Sequence, residues 1–167
     1  VPEFRNITGF SELDAKLKEL PQRIGKNVLR GMVAAGAAVL RKEIRARAPR
    51  YTGPVSQGHP PPGTLKKAVY QKQIAERSGP TEQVFIVGVR AGKRYQAIKR
   101  GAGTISLDAY YAYWVDRGHV APGGVLVPAN PFFRDSFAVK QDEMIAAMLD
   151  YGNERVQREI DQLGFFR

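Results

Sequence analysis

The sequence predicts an α+β fold, with long N-terminal helices and a C-terminal helix packed on a small, mostly antiparallel sheet. Apolar residues recur at helical spacing from Leu13 to Leu40 and again from Phe137 to Leu163. Between them stands a run rich in β-branched residues, Val84-Phe-Ile-Val-Gly-Val89, bounded by turn signals. The intervening segments are dense in Pro and Gly. The 167 residues are one domain's worth, since domains usually hold about 100–150. Residues 1–8 read as an expression remnant or a flexible arm. Residues 9–167 read as a single α+β domain with mobile loops near 50–64 and 90–108.

The first helix begins at Ser11, with Asp14 three residues on; side-chain oxygens in this arrangement satisfy the free N–H groups of a helix start. Leu13, Leu17 and Leu20 continue it, and Pro21 marks either a kink or the start of a second helix. Ile24, Val28, Met32, Ala35, Val39 and Leu40 then form one stripe, with Lys26, Arg30, Arg41, Lys42, Arg45 and Arg47 mostly elsewhere. The middle of this helix, from Gly31 through Gly36 to Ala38, is nearly all small residues. That suits a helix lying tightly on a sheet or against a symmetry mate. It ends before Pro49, because a residue preceding proline avoids the α region.

Residues 49–64 hold five prolines and three glycines and read as an extended loop. Residues 65–74 and 83–89 read as a hairpin around the Ser78-Gly-Pro-Thr81 turn. Residues 90–108 carry Arg90, Lys93, Arg94, Lys99 and Arg100 against one acid, a basic excursion read as a mobile hairpin. Asp108 is placed to cap a short helix over 109–116, half of whose residues are aromatic (Tyr110, Tyr111, Tyr113, Trp114), and Gly118 to end it. Val125 to Val127 reads as a strand completing a sheet with 65–75 and 83–90. Pro128 to Asp135 forms a rigid turn into the last helix, which Gly152 is expected to break or bend. The expected core is Leu17, Ile24, Val28, Met32, Val39, Val84, Ile86, Trp114, Val115, Phe132 and Phe137.

Charge and chemistry narrow the function. The net charge of +10 comes from 26 basic and 16 acidic residues. The surplus lies in the first two-thirds: +6 over residues 1–53, +6 over 54–108 and −2 over 109–167. Such a balance suits a polyanion, an acidic partner, or pairing of a basic flank with the mildly acidic C-terminal part of another copy. There is no cysteine, which excludes disulfides, thiolate metal sites and a Cys nucleophile. The two histidines, His59 and His119, stand without a metal-ligand or triad pattern, and both read as loop or turn residues. No Gly-x-Ser-x-Gly elbow or Walker loop occurs. Asp116 reads as an ion-pair partner or a cap rather than a general acid. The aromatic helix reads as core or subunit interface before a base-stacking platform. No stretch reaches the ~18 apolar residues of a membrane helix. The residues therefore offer no catalytic set, metal site or cofactor, and no small-molecule substrate is expected.

Four motifs in order carry a resemblance: Gly9-Phe-Ser-Glu-Leu-Asp-Ala-Lys-Leu17 with Leu20-Pro21; a helix running into Ala48-Pro49-Arg50-Tyr51-Thr52-Gly53, then Leu65-Lys-Lys-Ala-Val69; Tyr111-Ala-Tyr-Trp114-Val-Asp116-Arg-Gly118; and Pro128-Ala-Asn-Pro131-Phe132-Phe-Arg-Asp-Ser-Phe137. Together, over roughly residues 9–137, they resemble the tail-component family encoded in the head–tail gene clusters of lambda-like and related long-tailed phages and prophages. The chain departs from that pattern at Arg50-Tyr51, where a residue and an acid usually precede Thr-Gly. It also departs in the long proline loop, in the long 90–108 excursion, and in Asp116 where Glu is usual. The resemblance implies a structural virion protein of the neck or the head-proximal tail, not an enzyme. It would be made in the host cytoplasm and assembled as a ring, likened to the six-fold rings of the tail side, around the DNA channel. Its partners would be itself, neighbouring neck or tail proteins and the DNA. The alternative is a DNA-binding module that grips phosphates, without sequence specificity, through residues 90–100.

Overall fold

The computed structural model describes residues 22–52, 60–96, 98–100 and 103–163. The expected helix over Ser11 to Leu20, Leu17 of the expected core, Gly53 and His59 lie outside them. The described elements are α1 (Gln22–Arg47), α2 (Thr64–Ala68), β1 (Val69–Gln73), β2 (Phe85–Val89), β3 (Ile98–Arg100), β4 (Gly103–Ile105), α3 (Ala112–Arg117), β5 (His119–Val120), β6 (Leu126–Val127) and α4 (Phe132–Leu163). Short 3-10 turns occur at Ala75–Arg77 and Lys93–Tyr95. The class is α+β, as the periodicities predict. The strands, however, form three separate two-stranded sheets, β1–β2, β3–β4 and β5–β6. The stretch around Val125 to Val127 therefore does not join the hairpin. Leu126 and Val127 pair instead with Val120 and His119 across a tight local turn, in which Gly123 and Gly124 take φ of 91° and 81°. His119 is accordingly a strand residue, not a turn residue.

The contacts divide into two compact units. Among the described residues the first comprises 22–39, 72–86 and 142–163. Here the N-terminal half of α1 packs antiparallel against the C-terminal half of α4. Val28, Met32 and Val156 are buried together, with Leu29, Met148 and Leu149 against them. Two of the small residues of α1, Gly31 and Gly36, thus face α4 within the chain. A Cβ at Gly36 would lie 2.9 Å from Met148 Cγ and 3.2 Å from the Met144 carbonyl oxygen, and one at Gly31 would run into the Tyr151 ring. Helix α4 continues unbroken through Gly152, which is buried. Glycine keeps its backbone N–H, so its ~1 kcal/mol propensity cost does not by itself interrupt a helix that packing supports. On the solvent side α4 carries Arg155–Glu159 and Arg158–Glu154 ion pairs one turn apart. The unit's β-turn region is closed by side chains: the Ser78 hydroxyl donates to the Ile74 carbonyl, the Val84 N–H donates to the Ser78 hydroxyl, and Gln83 donates to the Gly79 carbonyl.

The second unit comprises 40–52, 60–71, 87–96, 98–100 and 103–141. Residues 65–68, expected as strand, form the helical turn α2. Gly63 opens it with φ 83°, the Thr64 hydroxyl donates to the Pro61 carbonyl, and the Lys67 N–H donates to Gly63. This turn buries Thr64, Leu65 and Ala68 together, which period-two alternation would not do. β1 then runs from Val69. The C-terminal end of α1 is fastened to it by Arg45, whose Nη2 and Nε donate to the Val69 carbonyl at 2.7 and 3.2 Å. Three expected core residues are exposed: Ile86, Trp114 and Phe137. Phe132 and Ser136, one turn apart, are the buried face of α4 there, and Phe137 is rotated off it by the helical period. Trp114 is on the solvent-accessible wall of a cleft, and Ile86 is the outward residue of β2. Val28, Met32 and Phe132 are buried as expected; Val39, Val84 and Val115 are half-buried.

Candidate functional site

The described motif positions from Ala48 onward lie within the second unit. An open cleft of about 740 Å³ is lined by Pro49, Tyr51 and Thr52 after α1, by Pro60, Gly63 and Leu65, by Tyr110, Tyr111, Trp114 and Val115 around α3, and by His119, Val127, Pro128 and Asn130. Arg50 is its one lining cation among the described residues, and no Asp or Glu lines it. Tyr110 meets Trp114 edge-on at 6.0 Å, and Trp114 lies tilted on His119 at 6.4 Å. Leu65 is buried to 1% exposure, and its backbone is hydrogen-bonded with Tyr111. Burial is the main influence on that phenol and holds its pKa above the usual value; the Leu65 bond pulls the other way, and Tyr110 and Asp108 push it further up. Ala48, the residue before Pro49, is buried, its N–H donating to Ile44 as α1 ends.

Asp116, Gly118, Pro131 and Phe132 form the joint behind the cleft. The Phe133 N–H donates to Asp116 Oδ1 at 3.0 Å, and Arg134 lies 3.7 Å from Oδ2. A carboxylate delivered from α3 thus satisfies a free donor at the start of α4, where the helix dipole also favours negative charge. Asp116 is therefore both cap and ion-pair partner. Gly118 ends α3 with φ 76° and ψ 163°. A Cβ there would stand 2.8 Å from the Ala129 nitrogen and 2.9 Å from the Val127 carbonyl oxygen. The Asn130 N–H donates to Val115, and the Asp135 N–H donates to Pro131 in the first turn of α4. Phe132 is 2% exposed.

Asp108 does not cap the aromatic helix. That helix begins at Ala112 with no side-chain cap, because both Asp108 oxygens are engaged elsewhere. Oδ1 accepts the Gly92 N–H at 2.8 Å, and Oδ2 accepts from Gln96 at 2.9 Å. The basic excursion is thereby anchored at its start by a buried acid. Lys93 and Arg94 are exposed on the 3-10 turn, with Arg94 stacked on Tyr95. Arg90 is half-buried over Tyr70 at 4.8 Å, apart from the turn. Lys99 and Arg100 lie on β3 opposite Thr104 and Gly103, the hairpin expected for this segment. Neither the Asp108 anchor nor the Arg45 fastening has a sequence signal, since each partner is fixed by tertiary contact. Among the described residues no group of three or more His, Asp or Glu stands together, and no helix is long and apolar enough to cross a membrane.

The aromatic cleft and the interhelical joint thus stand together in the second unit. The sequence model of the HK97-gp10-like family, described as "Bacteriophage HK97-gp10, putative tail-component", matches residues 11–118. The chain belongs to that family of phage tail components, and its place is the virion. No curated protein and no solved structure matches it.

Proposed function

We propose that this tail component acts at the head–tail junction, in the neck or in tail completion or termination, as a non-enzymatic subunit of a ring around the DNA channel, most simply a hexamer. Its partners are other copies of itself and neighbouring neck or tail proteins. The observation that carries this reading is the apolar surface of the second unit. Tyr110, Tyr113 and Trp114 are exposed beside the cleft, and Val120, Val125 and Leu126 are 63–74% exposed on the β5–β6 hairpin. Exposed apolar side chains grouped in one unit in this way suit a protein–protein contact, and Tyr and Trp are the residues that anchor such contacts. The positions of the family motifs Pro49, Thr52, Leu65, Trp114 and Pro128 line the cleft itself. That fits a site for docking rather than turnover.

The test is native mass by light scattering at low and high salt, followed by addition to tails assembled without this protein. A discrete ring, or a monomer that adds to such tails and restores head joining, is the expected result. A monomer that neither self-associates nor adds to tails would refute the proposal. Trp114→Asp and Leu126→Asp, both at exposed positions, should weaken assembly while leaving the far-UV spectrum unchanged.

A further inference from the structure

The charge of the chain is divided between the two units. Residues 40–71 and 87–141 hold 15 Lys/Arg and 4 Asp/Glu, a net +11, whereas the remaining residues hold 11 and 12, a net −1. The whole cationic surplus therefore belongs to the second unit.

Within that unit the backbone gathers cations at one place, the end of the β1–β2 hairpin formed by Ala68, Val69 and Arg90. The Arg90 N–H donates to the Ala68 carbonyl, so the basic turn leaves the hairpin beside α2 and its exposed Lys66 and Lys67. Arg45 reaches the same point by donating to the Val69 carbonyl. Three residues beyond Arg90 come the exposed Lys93 and Arg94. Among the described residues the acids nearby are committed: Asp108 is buried on Gly92 and Gln96, and Glu43 pairs with Arg47 at 2.6 Å. Like charges are close enough to be felt. The Arg45 guanidinium has its pKa lowered first by burial and then by Arg41 and Arg90, though an arginine remains charged. A surface that crowds cations without counter-charges is relieved by a polyanion.

We propose that the second unit binds the phosphodiester backbone of duplex DNA, without sequence preference, through Lys66, Lys67, Lys93 and Arg94 around the end of the β1–β2 hairpin. This goes beyond the assembly reading and stands on different residues from the apolar surface. Duplex is favoured over single strands because the rings at this turn are already covered by guanidinium groups, Tyr95 by Arg94 and Tyr70 by Arg90, while the open rings of Tyr110 and Trp114 line the cleft.

The experiment uses the full chain and a short fluorescent duplex of random sequence, read by anisotropy. Each phosphate neutralised contributes about −0.9 to the slope of log K against log salt, so four cations give roughly −3 to −4, or about a 100-fold loss of affinity between 50 and 200 mM salt. The variant Lys66→Ala/Lys67→Ala/Lys93→Ala/Arg94→Ala should lose more than tenfold in affinity at low salt, with a slope near zero. The variant Lys26→Ala/Arg30→Ala/Lys72→Ala/Arg77→Ala removes as many exposed cations from the first unit and should bind as the parent does. Equal losses in the two variants would overturn the assignment, since net charge alone would then explain them. So would the absence of any anisotropy change at low salt, or equal affinity and slope for polyglutamate, which would point to an acidic protein instead. Light scattering on both variants separates this from ring assembly, which the apolar surface is expected to sustain when the four cations are gone.

Discussion

Gly118→Ala tests the joint behind the cleft. Gly118 lies at φ 76° and ψ 163°, a region essentially reserved for glycine, where an L residue costs about 1–3 kcal/mol. The added methyl would also meet the Ala129 nitrogen at 2.8 Å and the Val127 carbonyl oxygen at 2.9 Å. Both are backbone atoms and cannot rotate away. The Asn130 N–H to Val115 bond holds the same segment in place, so overpacking adds a further ~1–3 kcal/mol. Reduced entropy of the unfolded chain returns only ~0.4–1 kcal/mol. The net loss is about 3–4 kcal/mol, and at ~2–4 °C per kcal/mol for a chain of this size Tm falls by about 10 °C. Far-UV thermal melts measure it. Gly124→Ala is the control: its φ of 81° is also positive, but nothing lies within 4 Å of the new methyl, so only the backbone term of about 1 kcal/mol remains. Equal melting shifts for the two variants would refute the claim that Gly118 is fixed by the close approach of Val127 and Ala129.

Other predictions follow from the same geometry. Gly36→Ala gains ~1 kcal/mol of helix propensity, but the Met144 carbonyl at 3.2 Å makes it net destabilising by ~1 kcal/mol; Gly31→Ala, facing the movable and 38%-exposed Tyr151 ring, should cost less, and chemical denaturation ranks the two. Asp116→Ala should lower stability by ~1–2 kcal/mol through loss of the cap, and Asp116→Asn, which retains an acceptor oxygen, should restore most of it in the same assay. Tyr111 has its folded pKa held above the ordinary tyrosine value of 10.0 by burial; its contribution to stability is complete below that pH and is lost as pH rises through the folded value, because the unfolded chain releases the proton first. Alkaline denaturation of Tyr111→Phe should therefore show a shallower fall in stability above pH 10.0 than the parent.

Periodicity made the long elements legible. The stripe from Val28 to Leu40 and the end before Pro49 appear as expected in α1, and β2 lies where the β-branched run places it. Apolar periodicity, the proline stop and β-branching carried these, since all three are local. What failed was non-local. Residues 65–68 are the local exception: they run apolar, polar, polar, apolar, the spacing of one helical turn, which Gly63 and Pro61 open so that Leu65 and Ala68 face the same way. Asp108 sits where a cap would stand, but the Gly92 and Gln96 donors reach it first. Trp114 and Phe137 were expected in the core because large rings usually bury themselves; here Trp114 walls a cleft and Phe137 lies off the buried face of α4. At the site, Arg90 to Arg100 read as one basic loop. The structure separates Arg90, stacked on Tyr70, from the exposed turn at Lys93 and Arg94.

Two sequence motifs, Tyr111–Gly118 and Pro128–Phe137, are thus parts of one mechanical joint. The acid of Asp116 holds the start of α4, and Gly118 lets residues 127–129 pass within van der Waals limits of α3. Pro131, at the entry to α4, lends a fixed φ and its carbonyl to the first turn without needing a donor. Asp116 reaches the Phe133 N–H at 3.0 Å, so the joint calls for an acceptor oxygen at that point. The same joint sets where Trp114, Val127 and Pro128 stand on the cleft wall. A change that loosens it should damage partner docking through the cleft before it unfolds the helix pair Val28–Met32–Val156, which belongs to the other unit. Stability and assembly can then be lost separately, and a variant such as Asp116→Ala that folds but fails to assemble would show the joint acting as the positioning element of the docking surface.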